Sequence, residues 1–98
     1  MNQVALSARI AEASALRYTP AGLPALDLSL EHESQANEAG QWREVKATVR
    51  AKAIGSVAES IARQPVGSLW SFKGFLATPR NGKHPVLHIQ SFEPAESP

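Results

Sequence analysis

The chain has 98 residues, 43% of them hydrophobic, which sizes it for one small domain with a core sufficient but not generous, so that oligomerisation is a natural supplement. It has no cysteine, which excludes disulfides, thiolate metal sites and a thiolate nucleophile; no apolar run nears the roughly 20 residues of a spanning helix; and nothing near Met1 has signal-peptide order, so the expected location is cytoplasmic. The net charge of +1 hides an uneven spread: two cations against five acids in residues 1–39, eight against two in 40–83, and two acids with no lysine or arginine in 84–98.

The first strand is expected over residues 4–10, with Val4, Leu6, Ala8 and Ile10 inward and Arg9 outward. Residues 11–15 either extend it or curl away. Residues 17–24 then form a turn, because proline fixes φ and Gly22 accepts positive φ. A second strand, 25–32, carries the cleanest alternation, with Leu26, Leu28 and Leu30 opposite Asp27, Ser29 and Glu31. Residues 34–40 are polar, acidic and glycine-terminated and read as a loop that leads through Gln41, Trp42 and Arg43 into the third strand.

That third strand, 45–53, has two chemically distinct faces: Val45, Ala47, Val49, Ala51 and Ala53 on one, and Lys46, Thr48, Arg50 and Lys52 on the other. One face suits a core and the other an anion. Gly55 breaks the pattern, and Ser56 with Glu59 has capping-box spacing, so a short helix is expected from 56 to about 63, docked by Val57 and Ile61. Residues 68–78 form a fourth strand, with Trp70, Phe72, Gly74 and Leu76 on one face. Arg80-Asn81-Gly82-Lys83 is a hairpin turn flanked by cations, residues 84–92 are the fifth strand, and 93–98 a frayed tail.

The order β-β-β-α-β-β is that of an all-β, five-stranded OB-fold barrel with one short helix between strands three and four. Residues 1–93 make that single domain, with 94–98 a flexible C-terminal tail. The binding face of such a barrel is the surface of strands two and three between two flanking loops, which here hold Arg17 with Tyr18, and Arg80 with Lys83 and His84. Cations beside exposed aromatics suit single-stranded nucleic acid, with phosphate held by charge and bases stacked on rings. The candidate interface is therefore Arg17, Tyr18, Trp42, Arg43, Lys46, Arg50, Lys52, Arg80 and Lys83. Against it, Asp27, Glu31 and Glu33 on the neighbouring strand offer Lys46, Arg50 and Lys52 cross-strand partners. Trp42 suits a base, a core edge or a subunit contact, and Tyr18 a base or a loop anchor; Trp70 and Phe72 belong to the core.

No metal, cofactor or catalytic constellation is expected. His84 and His88 are about 13 Å apart along an extended strand, too far to share an ion. No phosphate loop or nucleophile elbow is present.

The stretches 18–24 (Tyr-Thr-Pro-Ala-Gly-Leu-Pro), 28–34 (Leu-Ser-Leu-Glu-His-Glu-Ser) and Glu38-Ala39-Gly40, with Phe72-Lys73-Gly74-Phe75-Leu76, Asn81-Gly82 and Val86-Leu87-His88, resemble the primosomal replication protein N family, PriB. The resemblance spans nearly the whole chain. It implies a homodimeric OB-fold protein, similar to bacterial single-stranded DNA-binding proteins, that binds single-stranded DNA and joins a restart helicase and a further primosomal protein at stalled forks. Under it Arg17 matches a basic position of the first loop and Arg80 a lysine of the last. Lys46 stands where the best-studied members have a tryptophan, Gln41 where they have a phenylalanine and Glu33 where they have an arginine. Trp42 is the candidate substitute platform, and the alternative function is a primosomal adaptor with weak DNA contact. The first strand is the expected dimer edge.

Overall fold

The computed structural model describes residues 1–95. Its elements are β1 (Val4–Ala13), β2 (Arg17–Tyr18), β3 (Pro24–Glu38), β4 (Gln41–Ile54), α1 (Ser56–Ala62), β5 (Leu69–Ala77) and β6 (Val86–Pro94). Five long strands close into a barrel in the order β1-β5-β6-β4-β3 and back to β1, with β4 and β6 the parallel pair. This is the expected OB-fold order, with α1 between the third and fourth long strands. Two-residue β2 is an addition at the edge of β3, pairing Arg17 with Ala25 and Tyr18 with Pro24.

Closure depends on β1 serving two neighbours. From Val4 to Arg9 it pairs with β5, and from Arg9 to Ala13 with β3; the register shifts between Ile10 and Glu12. The extra residue, Ala11, bends the strand as a bulge does, which turns one sheet edge onto the other. Ala8 and Ile10 enter the core with Leu26, Leu28 and Leu30 of β3, Ala51 and Ala53 of β4, Phe72 of β5, and Leu87 and Ile89 of β6. The alternation of apolar and polar residues thus puts one face of each strand inside. Trp70 and Phe92 pack edge to face at 4.9 Å against this core, as expected for an apolar-face tryptophan.

Helix α1 packs on β3, β4 and β6 through buried Ala58 and Ile61. Its N-terminus differs from the capping-box expectation. Gly55, at φ 92°, is the cap and no side chain bonds the free N–H groups, because Ser56 is already helical. The Gly55 N–H instead donates to the Pro24 carbonyl at 2.8 Å, a bond that ties the helix start to β3.

Residues 34–40 are not a loop. Strands β3 and β4 remain paired in unbroken register from Ala25–Ile54 to Glu38–Gln41, joined by a two-residue turn at Ala39 and Gly40. Both turn residues have positive φ, 53° and 80°, as a type I′ hairpin requires. Beyond His32 every residue of β3 is exposed, so the far end of this ribbon stands clear of the barrel and lengthens the molecule to 50 Å against 29 and 22 Å. Trp42 accordingly lies on a strand near a hairpin tip, not at a loop edge.

The Asn81-Gly82 pair does not form a two-residue hairpin either. Gly82 N–H donates to Pro79 O at 3.0 Å, which centres the turn on Arg80 and Asn81 within a longer connection, residues 78–85. β6 runs on through Pro94, and Glu93, expected in the tail, pairs with Ser71 and bridges Lys73 at 3.3 Å. Of the tail expected over 94–98, residues 96–98 lie outside the described residues.

Candidate nucleic-acid interface

The alternation in β3 and β4 sends one set of side chains out, and the cross-strand register sets their order. Near the barrel Asp27 faces Lys52 and Ser29 faces Arg50. Towards the tip Glu31 faces Thr48, Glu33 faces Lys46, Gln35 faces Glu44 and Asn37 faces Trp42. The outer face is therefore basic over the barrel, acidic along the ribbon and aromatic at its end.

Over the barrel the face forms a groove of about 620 Å³. Arg50, Lys52, Ser29 and Thr48 make its floor, Glu12 and Ser14 one wall, and Pro79 and Val86 the other. One wall runs from the end of β1 into the connection that follows it, and the other from the β5–β6 connection to the first residue of β6. Arg80 and Lys83 are exposed on the connection that includes Pro79. On the opposite side Ser14 is fixed to β3 twice: its N–H donates to Asp27 O at 2.9 Å, and its Oγ accepts from Asp27 N–H at 3.1 Å.

The cross-strand neutralisation weighed from sequence takes a different form. Asp27 does face Lys52, but its carboxylate receives Arg17 in a two-point contact, Nε to Oδ2 at 3.1 Å and Nη2 to Oδ1 at 3.3 Å. Glu33 faces Lys46, yet Lys46 bridges Glu44 on its own strand at 3.6 Å. Arg50 faces a serine. Among the described residues Arg50, Lys52, Arg80 and Lys83 are in no salt bridge. Of these four, Arg50 and Lys52 line the groove itself, and Arg80 and Lys83 lie on the connection that carries Pro79 of its wall.

Two candidates sit elsewhere. Arg43 is paired in register with Ala36 and bridges Glu38 at 3.2 Å, which places it on the ribbon face opposite Trp42 and Lys46. Trp42, 72% exposed, shares the outer face but stands ten residues beyond Lys52, about 33 Å along the strand. Tyr18, 67% exposed on β2, follows Arg17 and is paired in register with Pro24 at the start of β3.

The histidines have separate occupations. His32 lies between the Ser7 carbonyl, 2.6 Å from Nδ1, and Ser34 Oγ, 2.8 Å from Nε2, so its Nδ1 carries the proton and links β3 to β1 past the end of their ladder. His88 stacks on Phe75, with ring centroids 5.0 Å apart and planes 11° from parallel. Sequence reading missed this pair; its signal is an aromatic at 75 among the polar-face positions Ser71 and Lys73 of β5.

A family model described as "Another single-strand binding protein family" matches residues 2–91. The replication restart protein PriB of Bordetella pertussis is 48% identical over 91 residues, covering 92% of this chain and 85% of that protein. The chain belongs to the PriB family. The PriB of Neisseria gonorrhoeae is 40% identical over 93 residues, covering 94% and 92%. The solved PriB of Ralstonia solanacearum superposes with a TM-score of 0.88 at 34% identity, over 98% of this chain and 99% of that one. The single-stranded DNA binding protein of Thermus aquaticus has a TM-score of 0.77 at 29% identity, over 98% of this chain and 50% of that one. The matched family is described by single-strand binding and its members are named for replication restart, so it is not a family of enzymes.

Proposed function

We propose that this PriB-family chain holds single-stranded DNA across the barrel groove as an accessory of replication restart. The observation that carries the reading is that Arg50 and Lys52, in no salt bridge among the described residues, line one groove, with Arg80 and Lys83 exposed and equally unbridged on the connection that carries Pro79 of its wall. Phosphates would lie on these cations, and Arg17 would join them by exchanging Asp27 for phosphate. Tyr18, next to Arg17 on β2, is an exposed ring on which a base would stack, and Trp42 serves a longer strand or a partner at the ribbon tip. Lys46 faces the same way but between Glu33 and Glu44, and Arg43 contributes least because it faces away.

The biological setting we infer is the bacterial cytoplasm, at stalled forks, where the chain would act as a homodimer with a restart helicase and a further primosomal protein. Among the described residues β1 meets β3 only from Arg9 onward, so the other edge of residues 4–8 is available to a second copy except at the Ser7 carbonyl held by His32.

One observation favours the adaptor reading for the ribbon. Glu31, Glu33 and Glu44 make its outer face repel phosphate, which suits a protein surface better than DNA. Titration of a labelled single-stranded oligonucleotide, with and without the helicase, tests both readings. Salt-sensitive binding by the chain alone supports the groove; no DNA binding beside firm helicase binding leaves the adaptor.

A further inference from the structure

Next to the groove, and sharing Lys52 with it, a second hollow of about 380 Å³ lies between β4, β5, β6 and the start of α1. We propose that it is a nucleotide subsite, taking a base and its phosphate from a single strand that leaves the groove past Lys52. The inference rests on the groove reading and extends it.

Lys52 is paired in register with His88, and His88 with Phe75, so a cation and two rings form one row across three strands. The two rings are half-buried and nearly parallel. Ile54 and Val57 add apolar walls, and Gln90 supplies an amide that can both donate to and accept from a base edge. Among the described residues no carboxylate lines this hollow, whereas Glu12 and Asp27 line the groove. A stacked ring pair that can be extended by a base, one cation, one amide and no acid match a nucleotide: a ring to stack, an edge to hydrogen-bond and a phosphate to neutralise. The volume falls within the about 300–1,000 Å³ of ordinary ligand sites.

The backbone is shaped for this arrangement. The register of β5 and β6 shifts between Lys73 and Gly74, leaving Gln90 as the extra residue of β6 between Ile89 and Ser91. Bulges re-aim side chains in this way. At Gly74 the chain lies against the His88 carbonyl so closely that no Cβ fits, and Phe75 is the next residue.

The test is fluorescence anisotropy with oligothymidylates of about 6 and about 16 nucleotides, near the limits of a single OB-fold site. Phe75→Leu, which keeps apolar volume, is expected to weaken the longer strand about tenfold, the loss of one stacked base, and to leave the shorter unchanged. Phe75→Tyr is expected to restore the longer strand's affinity. In the wild-type chain, 5-iodouracil near one end of the longer strand is expected to photocrosslink to the peptide containing Phe75 or His88. Unchanged affinity for the longer strand, or equal loss for both, overturns the subsite, and so does absence of the crosslink should the variant not fold. If the wild-type chain binds neither strand, the groove reading itself fails, a result distinct from loss of the subsite alone.

Discussion

The carbonyl oxygen of His88 occupies the space that a Cβ on Gly74 would need. The carbonyl cannot easily yield, since it is backbone of β6 where β5 and β6 are paired. Gly74→Ala is therefore expected to destabilise the barrel by about 1–3 kcal/mol or more, as overpacking does. Urea denaturation followed by circular dichroism measures it, and a change near zero would mean that the strands separate freely here.

Arg17 and Asp27 are both about half exposed, so their bridge stabilises by only about 0–1 kcal/mol. Its larger effect is to occupy a cation beside the groove with an acid. Asp27→Asn should strengthen DNA binding by up to about fivefold while changing stability by less than about 1 kcal/mol. Weaker binding in the anisotropy titration would show instead that Asp27 is needed to position Arg17.

Arg50→Ala and Lys52→Ala each remove one unpaired cation from the groove floor. Each should reduce the magnitude of the slope of log affinity against log salt by about 0.7, the single-strand value per phosphate, and the double variant by about twice that. Titrations at several salt concentrations give the slopes. A slope that stays at the wild-type value would remove the residue from the phosphate contacts.

Trp42 is exposed near the ribbon tip and supports no core. Trp42→Ala should leave the melting temperature essentially unchanged, with a stability effect within about 0.5 kcal/mol. Its affinity for a long strand should fall by about 1–3 kcal/mol through the loss of one stacked base. A loss near zero assigns the ring to a protein partner, which helicase titration of the same variant then measures.

Ala39 adopts φ 53°, a conformation that costs an L-residue other than glycine roughly 1–2 kcal/mol. Asparagine tolerates it better and forms the favoured Asn-Gly pair with Gly40. Ala39→Asn should slow amide exchange across the ribbon tip, from Asn37 to Trp42, by up to about fivefold, with little change in global unfolding. Unaltered exchange would show that the tip opens by another route.

The barrel was legible because its strands bury one face. Leu26, Leu28 and Leu30, or Val4, Leu6, Ala8 and Ile10, announce both strand and orientation through a period of two. The same logic explains the error at 34–40. A ribbon exposed on both faces has no reason to alternate, and Ser34, Gln35 and Asn37 carry weak strand propensity, so pairing with β4 alone extends β3. The turn was also disguised, since Ala39 lacks the usual signal, while Asn81-Gly82 displays that signal and is used within a longer connection. Four unpaired cations of the candidate site could be read from sequence because an outer strand face and two loops have fixed places in this fold order. Arg43 was misplaced because residues 41–43 read as the end of a loop; with β4 beginning at Gln41, alternation puts Arg43 on the face of Val45 and Ala47, and Phe75 with His88 went unseen because strand register, not spacing, brings them together.

The uninterrupted ladder from Ala25 to Glu38 has a mechanical consequence. A hinge needs a bulge, a glycine or a break in pairing, and none interrupts the ribbon between barrel and tip. It must therefore move as a stiff lever, flexing by distributed twist rather than by folding at a joint. Trp42 lies on the same unbroken strand as Arg50 and Lys52, so a partner that gripped the tip would pull directly on the strand that floors the groove.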